Sequence, residues 1–151
     1  METNSNKNTA TLIHLSTLTQ YFIPFGNYIF PIVIWSTTRD KSNYVNAQGK
    51  QAINFQLSLF LYTLALAAIA IPVFVVTVLQ NTSFDAVIDS DDFLIKNLNM
   101  GNVSGLVTIG IMAAIIFVFM KIAEFFLIIY ASVKTSNGET FKYPLTIPFL
   151  K

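Results

Sequence analysis

Lys121 and Glu124 are the residues of this sequence whose types and spacing best suit chemistry. They are the only charged side chains in the run 97–133, which is otherwise uncharged and largely apolar. A charged group at bilayer depth costs at least a few kcal/mol on insertion scales, so it usually faces a protein interior or a wet cavity and has a partner there. The pair is therefore a candidate polar site inside a membrane.

A stripe of polar side chains on a second apolar segment falls at a similar depth. Its members follow the spacing i, i+3, i+7 and i+11, which places them on one face of a helix. If the cytoplasmic boundaries lie near Ala52 and Val133, Tyr62 and Glu124 are both about 15 Å deep by helical rise. Asn27, in a broken first segment, reaches the same level. The candidate intramembrane cluster comprises Lys121, Glu124, Tyr62, Ser58, Asn54, Gln51 and Asn27.

This cluster has two interpretations. Discontinuous helices beside intramembrane charges form ion or substrate sites in many transporters. Lys121 and Glu124 can also pair along their own helix, and polar side chains can join neighbouring helices by hydrogen bonds. We expect the structural role and keep transport or conduction as the alternative.

Other kinds of active site lack the necessary residues. The chain has no cysteine, and His14 is its single histidine, without a carboxylate nearby in the sequence. His14 is therefore expected to be a helix-end or interfacial residue. The acidic stretch 85–92 lacks the central glycine and the closing glutamate of an EF-hand loop. We expect no enzyme activity, no catalytic residue, no metal site and no cofactor.

The composition is typical of a membrane protein. Of the 151 residues, 54% are hydrophobic and 11% are charged, whereas roughly a quarter of a soluble domain is charged. The uncharged runs 8–38, 51–84 and 97–120 can each hold the roughly 20 residues of a spanning helix. A net charge of +1 gives a nucleic-acid partner no electrostatic support. The sequence predicts one membrane domain, 1–151, whose main partner is the lipid bilayer.

The elements that must position the cluster form an all-α integral membrane protein, predicted as a three-span helical bundle. Pro24, Gly26, Asn27 and Pro31 break the first helix into halves near 11–22 and 30–37. We favour a single crossing, with the N-terminus outside; two spans plus a re-entrant segment, or four helices, are the alternatives. The predicted segments are a polar tail at 1–10, a broken helix at 11–37, long helices at 44–79 and 106–135, an acidic outer loop at 80–105 and an extended tail at 136–151.

The charges of the connections predict the orientation. Residues 36–52 carry three cations and one anion, a sum of +2, and residues 134–151 carry the same sum. The connection 80–105 has one lysine against four aspartates, a sum of −3. Because positive residues are retained on the cytoplasmic side, the C-terminal tail should be cytoplasmic and the acidic loop should face outward. Gly138 should end the last helix with a left-handed cap.

Four segments resemble a known family. They are 14–16 (HLS), 31–35 (PIVIW), 51–56 (QAINFQ) and 137–147 (NGETFKYPLTI). They resemble a small bacterial membrane-protein family of unknown function, distantly related to the inner-envelope channel component of the chloroplast protein-import machinery. The resemblance covers 14–147 and implies three or four membrane helices, no enzymatic activity and a role in protein translocation or assembly.

These observations predict a non-enzymatic, polytopic protein of the bacterial inner membrane. It is expected to act as a subunit or assembly factor linked to protein translocation, through a membrane-protein partner or a second copy of itself. The alternative is a small transporter or channel that uses Lys121 and Glu124.

Overall fold

The protein is all-helical in a computed structural model, which describes residues 2–81 and 105–151, with side chains at 2–75 and 108–151. Helix α1 covers Asn4–Ser16 and continues into a 3-10 turn, Thr17–Tyr21. Helix α2 covers Gly26–Thr38, followed by a second 3-10 turn, Arg39–Lys41. Two long helices follow, α3 at Asn43–Asn81 and α4 at Gly105–Ser136. The prediction of an all-α protein is confirmed for these residues, and the predicted acidic loop falls almost wholly on 82–104, outside them.

Within the residues that the structure describes, two helices are long and apolar enough to cross a membrane. They are Asn43–Val75 of α3 and Thr108–Ser136 of α4, with mean hydropathies of 2.3 and 2.4. Only 11% and 17% of their most apolar stretches is buried within the protein, whereas a core helix of a soluble protein is mostly buried. Pro72 lies inside α3 without ending it. The first predicted span, 11–37, falls on α1 and α2. Each of these helices has 13 residues or a length of about 20 Å, which is too short to cross a membrane alone.

The first segment is broken, but at a different place from that predicted. Gly26 and Asn27 begin α2 instead of interrupting the chain, and Pro31 lies within the helix. As the sixth residue of α2, Pro31 removes one hydrogen bond, to the carbonyl of Asn27, near the start of the helix. The break itself covers 22–25, where Phe25 has a left-handed backbone with φ 61°.

The helices α1 and α2 form a hairpin that packs on itself. Three side-chain hydrogen bonds show where the ends of the hairpin lie. They are Glu2–Ser42, Thr11–Thr135 and Trp35–Asn46. The start of α1 and the end of α2 therefore both lie near the beginning of α3 and the end of α4. The expected single crossing needs these two ends on opposite sides, so the hairpin agrees with the re-entrant alternative. A Pro/Gly break fixes where a helix stops but not the direction in which the chain leaves it.

Contacts divide the chain into two compact units. Unit 1 consists of Met1–Leu61 and Lys121–Lys151, and unit 2 is Tyr62–Met120. The core of unit 1 contains Ile13, Val45 and Ala52, with Ile34 and Trp35 packed against them. In unit 2, Gly110 of α4 faces Val73 of α3. The single membrane domain drawn from the sequence stays a prediction.

Helix α4 ends at Ser136, and Gly138 forms the left-handed cap that the sequence predicts. Gly138 has φ 82°, its N–H donates to the carbonyl of Thr135, and the N–H of Glu139 donates to the carbonyl of Lys134, both at 3.0 Å. This pair of bonds is the Schellman arrangement. The hydroxyl of Tyr44, at the start of α3, donates to the carbonyls of Thr135 and Glu139. The start of α3 is thereby tied to the end of α4.

Candidate functional site

The Lys121–Glu124 pair forms a closed polar triangle with a third residue, Gln20. The Nζ of Lys121 lies 2.8 Å from Oε2 of Glu124, and Nε2 of Gln20 donates to Oε1 of the same carboxylate at 2.8 Å. The Nζ of Lys121 also donates to Oε1 of Gln20 at 3.3 Å. Glu124 is 1% exposed, whereas the side chain of Lys121 is 36% exposed. Both carboxylate oxygens of Glu124 are therefore paired inside unit 1.

Gln20 is absent from the cluster predicted from the sequence. It lies in the 3-10 turn that follows α1 and meets Glu124 across 104 positions of sequence. The available signal was its type, because it is the one amide side chain between Asn8 and Asn27. Gln20 lies next to the turn between α1 and α2. Its hydrogen bond to Glu124 therefore connects this end of the hairpin to the middle of α4.

Asn27 takes part in a second buried contact. Its Nδ2 donates to Oε1 of Gln56 on α3 at 2.7 Å, and the two residues are 7% and 1% exposed. The Nε2 of Gln56 has no hydrogen-bond partner within the described part of the chain. The beginning of α2 is thus held to α3 by amide side chains. Gln56 is absent from the cluster predicted from the sequence.

Two members of the polar stripe bind the C-terminal tail. The side-chain amide of Asn54 donates to the carbonyl of Leu150 at 3.1 Å and accepts from its N–H at 2.8 Å. Ser58 accepts from the N–H of Ile147 at 2.8 Å and donates to the carbonyl of Asn54. Gln51 is half-buried on the same helix, and Tyr62 belongs to unit 2. Asn54 and Ser58 therefore hold the tail along α3.

His14 fastens another part of the tail. It is fully buried, with Nδ1 2.8 Å from the hydroxyl of Tyr143 and Nε2 3.2 Å from the Gln48 side chain. In the amide orientation that satisfies its partners, Gln48 also donates to the carbonyl of Phe141 and accepts from the N–H of Phe141. The ring of Tyr143 stacks on Phe55 with centroids 4.0 Å apart. His14 lies in the last turn of α1, so the expected helix-end position is confirmed, but it is a buried packing residue and not an interfacial one.

Burial controls the protonation of this pair. It lowers the pKa of His14 to about 4, although the hydrogen bond to Gln48 opposes part of the shift. It raises the pKa of the Tyr143 hydroxyl, and the charge of Glu124 adds to that effect. Near neutral pH both groups are uncharged, so the pair is suited to holding the tail. Among the residues whose structure is described, no group of three His, Cys, Asp or Glu side chains could hold a metal ion.

These features define a class of protein, a small membrane-associated helical protein with buried polar side chains and two apolar helices among its described residues. The family model of the MamF/MmsF magnetosome magnetite crystal formation proteins matches residues 5–150. The chain belongs to this family. No curated protein and no solved structure matches it.

The family match corrects the resemblance drawn from the sequence. The chain belongs to a magnetosome family, and the proposed relation to the chloroplast import channel is wrong. Several residues in the segments that suggested it pack unit 1 together, among them His14, Trp35 and Tyr143. Likeness at such positions describes packing and carries no information about a cargo. The family is linked to magnetite crystal formation and is not a known enzyme family.

Proposed function

We propose that this protein is a non-enzymatic component of the magnetosome membrane that contributes to the formation of magnetite crystals. The observation that carries the proposal is the family match, which spans nearly the whole chain. The two apolar helices α3 and α4, whose most apolar stretches are only 11% and 17% buried within the protein, support a location in the lipid bilayer. Their exposed faces would contact lipid, a membrane-protein partner or a second copy of the chain.

The proposed topology has two crossings. Helices α3 and α4 each cross once, and the α1–α2 hairpin enters and returns. Both chain ends would then lie on the cytoplasmic side, in agreement with the +2 sums of 36–52 and 134–151. The connection 80–105, with its sum of −3, would face the opposite side of the membrane. We assign that side to the mineral, because carboxylates are oxygen ligands that suit hard cations.

For the polar triangle we propose a structural role. Both oxygens of Glu124 already have donors, from Gln20 and Lys121. A carboxylate paired in this way joins the turn after α1 to α4, which is a joining role of the kind polar side chains have between membrane helices. The transport alternative would require Glu124 to exchange these partners for an ion.

The test is complementation in a magnetosome-forming host from which the gene has been removed. Removal should change the size or number of magnetite crystals seen by electron microscopy, and the wild-type gene should restore them. A double variant, Lys121→Met/Glu124→Gln, should restore them as well, because it removes both charges and keeps the hydrogen bond to Gln20. Unchanged crystals after removal would refute the crystal-formation role. A double variant that is present in the membrane yet fails to restore crystals would favour transport through the pair.

A further inference from the structure

The turn between α1 and α2 presents a set of apolar side chains away from unit 1. Phe22 is 87% exposed and Phe25 is 68% exposed, far more than the average core residue of this unit. Tyr21 and Ile23 are exposed as well. We call these residues, 21–25, the hairpin tip. An apolar tip of this kind is unfavourable in water, because burying large apolar side chains lowers the free energy.

The hairpin tip lies part-way along the spanning helices. Gln20, next to the tip, binds Glu124, and Tyr21 packs edge-on against Phe125 with ring centroids 6.3 Å apart. Glu124 is 12 residues before Ser136, the end of α4, or about 18 Å by helical rise. The whole of α4 is about 48 Å long, and a hydrocarbon core is about 30 Å thick. Centred in the bilayer, α4 therefore places the tip within one leaflet.

Several backbone N–H groups of the tip are satisfied internally. Irregular backbone is tolerated at membrane depth only when its polar groups are satisfied. The N–H groups of Phe22 and Ile23 both donate to the carbonyl of Thr19, and that of Gly26 donates to Ile23. Pro24 has no N–H to satisfy. A side chain at Gly26 would come within 2.9 Å of the Thr19 backbone, so glycine is needed for this tight turn.

Acyl chains are the occupant that fits the tip. The exposed face of α4 at the same depth is also apolar, with Ile122 50% and Phe126 66% exposed. The tip continues this face through the contact of Tyr21 with Phe125. A surface that is continuous with the exposed side of a spanning helix meets the same surroundings, which are lipid chains.

We propose that the α1–α2 hairpin is a wedge in the cytoplasmic leaflet, which makes this protein prefer membranes whose cytoplasmic leaflet is the outer, expanded one. Two helices of 10–12 Å diameter add about 160–220 Å² of cross-section to that leaflet. The inference rests on the proposed two-crossing topology and adds a function to it, recognition of curvature.

The test is sorting between giant vesicles and membrane tubes pulled from them. The chain has no cysteine, so the single-cysteine variants Asn6→Cys and Ser90→Cys can each be labelled from outside with an impermeant fluorophore. Label at position 6 selects copies whose hairpin is in the outer leaflet, and label at position 90 selects the opposite orientation. Relative to a lipid dye, we expect the tube-to-vesicle ratio to be above one for the first and below one for the second. Equal ratios, or the reverse order, would overturn the proposal.

A second measurement tests depth by itself. Spin labels in the variants Phe22→Cys and Phe126→Cys should be equally shielded from a water-soluble relaxation agent. A label at position 22 that is open to water would overturn the wedge. If positions 6 and 90 are instead labelled from the same side, the topology fails. Correct topology with no curvature preference refutes the wedge alone and leaves the role in crystal formation intact.

Discussion

Removing one member of the Lys121–Glu124 pair should destabilise the protein more than removing both. Lys121→Met leaves a carboxylate that is 1% exposed and retains one donor, Gln20 at 2.8 Å. Breaking a buried pair from one side typically costs about 3–5 kcal/mol. Glu124→Gln leaves a lysine in an apolar helix, which costs about 2.5–3.5 kcal/mol on insertion scales.

The double variant Lys121→Met/Glu124→Gln removes both charges and leaves an amide that can still bind Gln20. Its loss should be within about 1 kcal/mol, because replacing a whole buried pair by uncharged groups is often nearly neutral. The coupling energy between the two positions is therefore expected to be at least about 4 kcal/mol, above the usual range of about 0.5–3 kcal/mol for residues in direct contact. Lys121→Met should be the worse of the two single variants, since it leaves the more buried charge.

Unfolding by SDS in mixed micelles measures these differences. Trp35 is the single tryptophan and packs in the core of unit 1, so its fluorescence reports the unit that contains the pair. Single-variant losses that add to within about 0.5 kcal/mol would mean that the two positions are independent. That result would refute a stabilising ion pair between Lys121 and Glu124 within the polar triangle.

Three further predictions concern the packing of unit 1. Gly49→Ala should lower stability by about 1–3 kcal/mol through overpacking and shift the fluorescence of Trp35, because its new Cβ would lie 2.2 Å from that ring. Stability should fall as the pH drops from about 6.5 toward 4, since the unfolded chain binds a proton at His14 that the folded chain does not; the difference amounts to about 3 kcal/mol, and pH-dependent SDS unfolding of His14→Gln should lack it. Asn54→Leu should speed trypsin cleavage in the tail after Lys142, because two hydrogen bonds to the tail, each contributing about 0.5–1.5 kcal/mol, are lost.

Matched controls separate these effects from general damage. Gly110→Ala adds a methyl group whose nearest neighbour is a Val73 carbon at 3.9 Å, so it should change stability by less than about 1 kcal/mol. Gln51→Leu, on the same helix as Asn54, should leave tail cleavage unchanged. Equal harm from both glycine variants, equal cleavage in both amide variants, or the same pH dependence in His14→Gln as in the wild type would contradict the corresponding contact.

The sequence predicted features that depend on neighbouring residues better than contacts between residues far apart in the chain. The i, i+3 spacing of Lys121 and Glu124 predicted their pairing, and Gly138 predicted the end of α4, because both depend on a few neighbouring residues. The proline and glycine residues predicted a break in the first segment. The path of the chain after the break depends on the hydrogen bond between Gln20 and Glu124, which are 104 positions apart. Local helix and turn propensities do not encode a contact between residues so far apart in the sequence.

The polar stripe also shows that the sequence does not predict the partners of a residue far away in the chain. Periodic Asn54 and Ser58 indicate a helix face that avoids lipid, and this much follows from the sequence. Their partners are backbone groups of Ile147 and Leu150, which any residue type supplies. The sequence favoured a role in joining helices, with an ion site as the alternative, whereas the partner of both side chains is the backbone of the C-terminal tail.

Unit 1 is assembled from the first and last parts of the chain, and this sets an order for its biosynthesis. The hairpin is complete at Thr38, but His14 and Tyr44 bind the chain beyond Thr135. The ribosome must add about 100 residues between these points, which takes about 5–20 s at ordinary elongation rates. In the proposed topology both long helices enter the membrane during that interval, while His14 and Gln48 still lack their partners in the tail. Unit 1 therefore cannot be completed before Tyr143 has been added, and we expect chains truncated before Tyr143 to be cleaved by proteases faster than the full chain.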